Sequence, residues 1–321
     1  MNRRAWILMV ALAALWGASY MFIHIALEDG VPAPVIVWAR IALGALALSL
    51  MARGALGALR TNWRPVGLVG LVQIAGPFLL ITYGQRWIPS SLAAILVASA
   101  PIFVAVIAPV IDREDMVGGW GILGVVTGML GVALLFGVDL SGDGKLALGG
   151  AMVLLASVGY AFGAIWVRRD LRGVPPVAVA AGTMIAASLL TLPPAVASAG
   201  IGDADIGTAA ALLALGVGGT GVAFYIFFEL IADVGASRAS VVAYMAPGFA
   251  VTYGALFLGE EITATTIAGL ALILAGSWIA AEGRAPWDRG RRAVVPEPVG
   301  EDLLSRSGPS RSSEPVPERA R

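Results

Sequence analysis

Long apolar runs dominate this sequence and constrain its fold more than any other feature. Stretches of about 20 apolar residues recur from Trp6 almost to Ala281, and each ends at charged residues or at Pro and Gly. A helix of that length crosses a bilayer core, whereas a spanning β-strand needs only about half as many residues. Backbone groups in lipid must find hydrogen bonds within the structure. We therefore predict an all-α integral membrane protein whose surroundings are the lipid bilayer.

Composition agrees with a membrane location and argues against several kinds of site. Of the 321 residues, 58% are hydrophobic and 13% are charged, a balance that soluble domains rarely have. The chain has no cysteine and a single histidine, His24, so thiolate sites and all-protein zinc sites are not expected. The formal net charge is zero, which gives no reason to expect nucleic acid as a partner. We predict no metal and no cofactor.

The apolar runs divide into about ten predicted transmembrane helices, five in each half of the chain. The start of the first run resembles a signal peptide, but the run continues to Leu27, so we predict a retained helix. The predicted helices lie near residues 6–27, 34–52, 66–86, 90–111, 117–137, 147–167, 176–198, 208–231, 236–258 and 263–282.

The two halves resemble each other when one is shifted by roughly 145 residues. Because five is an odd number, the second copy would enter the membrane from the opposite side. We therefore predict two inverted five-helix repeats, residues 5–138 and 146–282, which could expose a midplane site to each side in turn. The shift places Pro101 on Pro247, Phe103 on Phe249 and Glu114 on Glu260.

Charge placement predicts the orientation. With the amino terminus inside, nearly all arginines fall in the inner connections, while the outer connections hold only Arg86 and Lys145 beside most of the carboxylates. We predict a multi-pass protein of the cell (inner or plasma) membrane with both termini cytoplasmic. After Gly283 the chain becomes rich in Arg, Pro, Ser and Glu, so residues 283–321 are predicted to form a disordered cytoplasmic tail.

The sequence resembles the EamA family of the drug/metabolite transporter superfamily over residues 5–282. The likeness rests on residues 14–19, 34–40 and 91–101 in the first half, and on 236–247 and the Gly259-Glu260-Glu261 motif in the second. It implies ten helices in two inverted bundles and a central cavity lined mainly by helices one, three, four, six, eight and nine. It also implies efflux of metabolites or amino acids. The first copy of the motif reads Arg-Glu-Asp at 113–115, and Met184 stands where Arg40 would be repeated.

Polar and aromatic residues within the predicted helices are the candidates for a substrate cavity. Trp16, Tyr20 and His24 are spaced by four and share a face of the first helix, although aromatic residues at that spacing also pack or mark the interface. Three prolines are expected to break helices and free backbone carbonyls: Pro77, Pro101 and Pro247. The remaining cavity candidates are Arg40, Gln73, Tyr83, Ser99, Tyr160, Tyr225 and Tyr244.

Two charged residues within predicted spans allow more than one interpretation. Arg40 could bind a substrate carboxylate or phosphate through its fork of donors. It could equally form a structural pair with Glu28 or Asp29, or extend to the outer interface. Glu229 is a candidate for proton coupling, since a carboxylate inside an apolar span can carry a proton, but it lies near the predicted helix end.

These features predict a secondary active transporter, an exporter, of a small metabolite, amino acid or drug by alternating access. A non-transporting scaffold or a channel subunit is the main alternative, and a homodimer is compatible with the sequence without being required by it. An intramembrane enzyme is not expected, because the hydrolase, phosphate-loop and zinc-helix motifs are missing from the sequence. Such an enzyme would have to rely on the single histidine, His24, with Glu28 as its neighbour four residues on.

Truncation tests the predicted tail. Removal of residues 290–321 should leave membrane insertion and export unchanged, because this polar, proline-rich segment cannot contribute to a buried core. Export by the full and truncated chains is compared after both are quantified in the membrane fraction. A truncated chain that inserts but no longer exports would contradict the prediction.

Overall fold

The computed structural model describes residues 3–111, 119–137, 144–198 and 205–282, and every regular element within these ranges is a helix. Short helical turns at Leu56–Leu59 and Ala236–Ala239 precede the third and ninth long helices. The long helices are α1 (Arg3–Glu28), α2 (Ala33–Met51), α3 (Trp63–Gly84), α4 (Ser90–Ile111), α5 (Gly119–Gly137), α6 (Gly144–Asp170), α7 (Pro176–Ala197), α8 (Ile206–Val234), α9 (Val242–Phe257) and α10 (Ala264–Glu282).

Eight of the described helices are long and apolar enough to cross a membrane, and α5 and α9 are shorter apolar helices. The prediction of an all-α, multi-pass membrane protein is confirmed for the described residues. The predicted tail, 283–321, and Glu114 of the first-half motif lie outside them.

Cross-helix contacts define two ends of the bundle, which we name the Arg168 end and the Glu260 end after residues that lie there. At the Arg168 end, Arg4 Nη2 of α1 donates to Glu229 Oε2 of α8 at 2.8 Å. At the Glu260 end, the Thr208 hydroxyl of α8 donates to Asp29 Oδ2 at 2.7 Å. Helices α1 and α8 therefore run antiparallel between the two ends.

Several helix contacts recur when the first five helices are exchanged for the second five. Helix α1 packs on α9 as α6 packs on α4, and α1 packs on α8 as α6 packs on α3. Helix α2 likewise packs on α8 as α7 packs on α3. The pairs α2–α7, α4–α9 and α5–α10 join corresponding helices directly. These contacts are shared by the two halves, whereas others, such as that of α10 with α4, occur once.

Glycines bring α5 and α10 into backbone contact. A Cβ built on Gly276 would lie 2.6 Å from the Gly124 carbonyl oxygen, and one on Gly131 would lie 3.0 Å from the Gly269 carbonyl oxygen. Helices in lipid gain little from burying apolar surface against each other, so close approach through small residues supplies much of their packing energy. The glycine pattern of α5 therefore serves packing, as its sequence suggests.

Helices α3 and α8 each contain a wide π-helical segment, at Gly70–Ala75 and Ala214–Val222. Pro77 has no N–H for the carbonyl of Gln73 four residues earlier, and the wide turn accommodates this loss. In α8 the Thr220 hydroxyl donates to the Leu215 carbonyl at 3.2 Å. Just before Pro77 the regular α-helix is interrupted by this π-helical segment, and the chain stays helical through to Gly84.

The other two prolines differ from each other. Helix α4 is interrupted at Ala98 and Ser99, just before Pro101. Nearby serines satisfy its carbonyls: Ser99 Oγ donates to Leu96 O at 2.6 Å, and Ser277 Oγ donates to Ala98 O at 2.7 Å. The expected break at Pro247 is wrong, because α9 runs through it and the turn falls earlier, at residues 240–241.

Enlarging Gly276 should separate α5 from α10. Gly276→Leu is expected to lower the free energy of unfolding by about 2 kcal/mol, since the new side chain must displace α5 backbone. Thermal unfolding of the detergent-solubilised protein measures the effect. Gly67→Leu is the matched control, because a Cβ at Gly67 meets nothing within 4 Å. Equal destabilisation by the two substitutions would contradict the packing role.

Candidate functional site

A cavity of about 890 Å³ lies between two groups of helices. One wall comes from α1, α8 and α9, and the other from α3, α4 and α6, with side chains of α2 and α10 completing the lining. These six wall helices are the ones that the family resemblance implies. A volume of this size accommodates a drug-sized or smaller molecule.

The cavity extends to only one end of the bundle. At the Arg168 end, its lining includes the exposed residues Arg168 and Ala281, both close to helix termini. Towards the other end the lining stops near Ile23 and Ile81. Beyond Ile81, buried apolar side chains of α4 and α9 pack in one cluster that includes Ile95 and Val251. The Glu260 end is therefore closed.

The carboxylate of Glu260 stabilises this closed end. Its Oε1 accepts the Ser90 N–H at 2.7 Å and its Oε2 accepts the Ser91 N–H at 3.0 Å, so it caps the start of α4 from the α9–α10 connection. Gly254 provides the room, because a Cβ there would collide with the carboxylate. Gly259 provides the turn, with φ at +67°. The Gly-Glu motif thus links the two cavity walls.

Arg40 is the charged group deepest in the cavity. Its Nε donates to Thr220 Oγ1 at 3.2 Å, and its Cζ lies 4.1 Å from the ring centroid of Phe78, a cation–π contact. The phenols of Tyr20 and Tyr160 are close enough to interact electrostatically with the guanidinium. Thr220 belongs to the π-helical segment of α8, and such segments often occur at functional sites.

The remaining lining is strongly aromatic on one side. Trp16 lies 6.2 Å from Phe224 and 5.5 Å from Phe227 between ring centroids, and all three residues line the cavity. Gln73 lies opposite, on the π-helical segment of α3. The cavity therefore combines an aromatic wall with a few polar groups around one cation.

The structure gathers many of the predicted site residues and leaves others outside. Eight of them line the cavity: Trp16, Tyr20, Arg40, Gln73, Tyr160, Tyr244, Pro101 and Pro247. Pro101 and Pro247 lack the N–H that would bond the carbonyls of Val97 and Ala243, and these two residues also line the cavity.

Five cavity or coupling candidates do not line this cavity, each for a visible reason. His24 Nε2 pairs with Glu28 Oε1 at 3.3 Å, and Ser99 is fully buried in the interruption of α4. Tyr83 lies near the end of α3, beyond the cavity, and the side chain of Tyr225 is 49% exposed on the outer surface of α8. Glu229 is 39% exposed and pairs with Arg4 instead of facing the cavity.

Sequence reasoning missed several lining residues. Phe78, Phe224 and Phe227 look like ordinary lipid-facing or core phenylalanines in a chain with ten of them. Arg168 looks like a positive-inside arginine at a helix end, and it is exposed as such a residue should be. Its place on the cavity rim depends on how α6 packs against the other cavity helices, for which the sequence has no signal.

The cavity carries positive charge. Its described lining includes Arg40 and Arg168 and contains no Asp or Glu. The structural pairs considered for Arg40 are not formed, since Glu28 contacts His24 and Asp29 accepts from Thr208. Among the described residues no group of three or more His, Asp or Glu side chains could hold a metal ion.

Comparison with known proteins assigns the chain to a family. The family model described as the EamA-like transporter family matches residues 4–137 and 147–281. The chain belongs to the EamA-like transporter family. Its two matched segments cover nearly the whole helical region, so the protein is a multi-pass membrane transporter, and its family is one of transporters.

Individual relatives agree on transport and differ in what is known of them. The uncharacterized transporter YoaV of Bacillus subtilis is 24% identical, over 83% of this chain and 93% of its own. The uncharacterized inner membrane transporter YedA of Escherichia coli K12 is 28% identical, over 79% and 82%. A Streptantibioticus cattleyicolor protein named "Probable terminal-alkyne amino-acid exporter" is 25% identical, over 92% and 98%.

A solved crystal structure shares the fold. It superposes with a TM-score of 0.62 at 21% identity, covering 88% of this chain and 98% of its own.

Neutralising Glu260 should loosen the closed end. Glu260→Gln keeps one acceptor but loses the charge that both Ser90 and Ser91 N–H groups face, so labelling within the closing cluster should become roughly tenfold faster. The reporter is Val251→Cys, since Val251 is 8% exposed and the chain has no other cysteine. An impermeant maleimide measures the rate. Glu261→Gln is the control, because Glu261 is exposed and this substitution removes the same charge. Equal rates in both variants would contradict the prediction.

Proposed function

We propose that the protein is a secondary active exporter of a small metabolite, working by alternating access between two inverted repeats of five helices. The one-sided cavity carries this proposal. A space of about 890 Å³ that reaches the Arg168 end and is sealed at the Glu260 end is what one state of such a carrier requires. The proposal includes α5 and α9 as membrane spans, which makes ten in all.

The helix contacts that recur between the two halves support a second conformational state of the protein. If the halves are inverted repeats, each wall can adopt the arrangement of the other, which would open the Glu260 end and close the Arg168 end. The contacts to be broken include the Glu260 hydrogen bonds and the apolar packing around Ile95 and Val251. The corresponding pair α5–α10, with its backbone contacts, would stay together during this exchange.

Charge supports the orientation. Arg4, Arg64, Arg168, Arg169 and Arg172 gather at the Arg168 end, which we assign to the cytoplasm by the positive-inside rule. The cavity then faces the cytoplasm, where an exporter loads its cargo. The relative named as a probable amino-acid exporter is consistent with this direction. The sequence has no phosphate-binding loop for ATP, so we expect an ion or solute gradient to drive transport.

Flux measurements test carrier function. Metabolites of cells with and without the protein are compared, and the compound that accumulates in its absence is loaded into liposomes containing the purified protein. A carrier should give saturable efflux that unlabelled compound on the far side accelerates several-fold, because return of the loaded site is faster than return of the empty one. Linear efflux without such exchange would indicate a channel, and no efflux of any shifted compound would indicate a scaffold.

Filling the cavity gives a matched pair of variants for this assay. Ala164 is exposed within the cavity lining, so Ala164→Trp should occupy the space and reduce efflux at least tenfold. Leu155 is 57% exposed on the same helix and does not line the cavity, so Leu155→Trp should retain efflux. Equal efflux by the two variants would show that the cargo does not pass through this cavity.

A further inference from the structure

The hydrogen-bonding state of Arg40 points to the chemistry of the cargo. Its Nε is bonded to Thr220, and one face of the guanidinium lies on Phe78. Neither Nη1 nor Nη2 has a hydrogen-bond partner among the described residues, and neither is among the buried polar atoms sealed from the cavity. The four N–H groups of these two nitrogens are therefore presented to the cavity.

An uncompensated guanidinium inside a membrane protein is costly unless it faces water or an anion. No carboxylate of the described residues lies within salt-bridge distance of Arg40, and the nearby polar groups are the phenols of Tyr20 and Tyr160. Phenols donate and accept hydrogen bonds without neutralising the charge. The described residues around the guanidinium therefore supply hydrogen-bonding and aromatic partners but no anionic one.

The rest of the cavity restricts that anion further. Its described lining has no Asp or Glu to neutralise an ammonium group, and the aromatic wall of Trp16, Phe224 and Phe227 offers apolar surface. A second cation, Arg168, stands on the rim at the Arg168 end. The Arg40 guanidinium inside the cavity favours negative solutes and disfavours cations.

We propose that the cargo is a small amphipathic organic anion whose oxyanion head binds Nη1 and Nη2 of Arg40 and whose apolar body packs on the Trp16 wall. This inference rests on the proposed transport function and names its substrate class. The head is a carboxylate or a phosphate, since the fork of a guanidinium fits both. Because the described lining offers no carboxylate to a charged amine, we expect a zwitterionic amino acid to bind more weakly than an anion of similar size.

A series of probes that differ only in the head group tests the proposal. The full-length protein in nanodiscs is titrated by calorimetry with 3-phenylpropionate, phenyl phosphate, phenylalanine and phenethylamine at neutral pH. At least one of the two anions should bind tenfold or more tightly than phenylalanine or phenethylamine, and the tighter of them assigns the head as carboxylate or phosphate. Binding of phenylalanine or phenethylamine as tight as that of both anions would overturn the proposal.

Variants then locate the head group. Arg40→Lys should weaken the preferred anion about tenfold, because one ammonium replaces a bidentate fork, and Arg40→Gln should abolish its advantage over phenethylamine. Arg53→Lys, an exposed arginine outside the cavity, is the control and should bind as the unaltered protein does. Retention of full anion preference by Arg40→Gln would overturn the assignment to Arg40.

If Arg40→Gln does not fold, the titration of the unaltered protein with the four probes still tests the proposal.

Different results would reject the carrier function and the anion site. Absence of exchange in the liposome assay would reject the carrier function, whereas exchange of a compound that is zwitterionic or cationic would reject the anion site alone.

Discussion

The absence of water inside the bilayer governs this structure. Every backbone group within the membrane must be bonded internally, so an irregular backbone survives only where side chains or the cavity take over the freed groups. The interruption of α4 shows this directly, because Ser99, Ser157 and Ser277 donate to the Leu96 and Ala98 carbonyls there. The same constraint explains why helix packing depends on glycine contacts, since lipid offers helices no hydrophobic gain from association.

Under that constraint the helices form two kinds of contact, some rigid and some that can separate. Helices α5 and α10 meet backbone to backbone, so their contact tolerates little change. The closure at the Glu260 end instead depends on one carboxylate, two N–H groups and the packing of apolar side chains. A carrier needs interfaces of both kinds: some that persist and others whose loss costs little enough to be reversed in every cycle.

The absence of water also shapes the electrostatics of the cavity, as Arg40 shows. A charge at this depth requires compensation, and the protein supplies a hydroxyl, an aromatic face and two phenols without a carboxylate. The structural pairing with Glu28 or Asp29 that the sequence permitted is not formed, because those carboxylates contact His24 and Thr208. The family includes relatives whose cargo is unnamed, so the chemistry of this cavity is the most direct guide to substrate.

The sequence by itself determined that the chain lies in lipid, where its helices fall and which family it resembles. Apolar runs of membrane length leave a chain few other folds, and the Gly259-Glu260-Glu261 motif together with the repeat indicates the family. It also indicated Trp16, Tyr20 and Arg40, because polar and aromatic groups are rare enough in such runs to be conspicuous. Only the tertiary structure decided which of them share a space. Tyr225 and Tyr160 look alike in sequence, yet one faces outward and the other lines the cavity. Helix rotation and tilt make that difference, and they are set by contacts such as Gly163 on Gln73 and Gly44 on Thr220 between residues far apart in the chain.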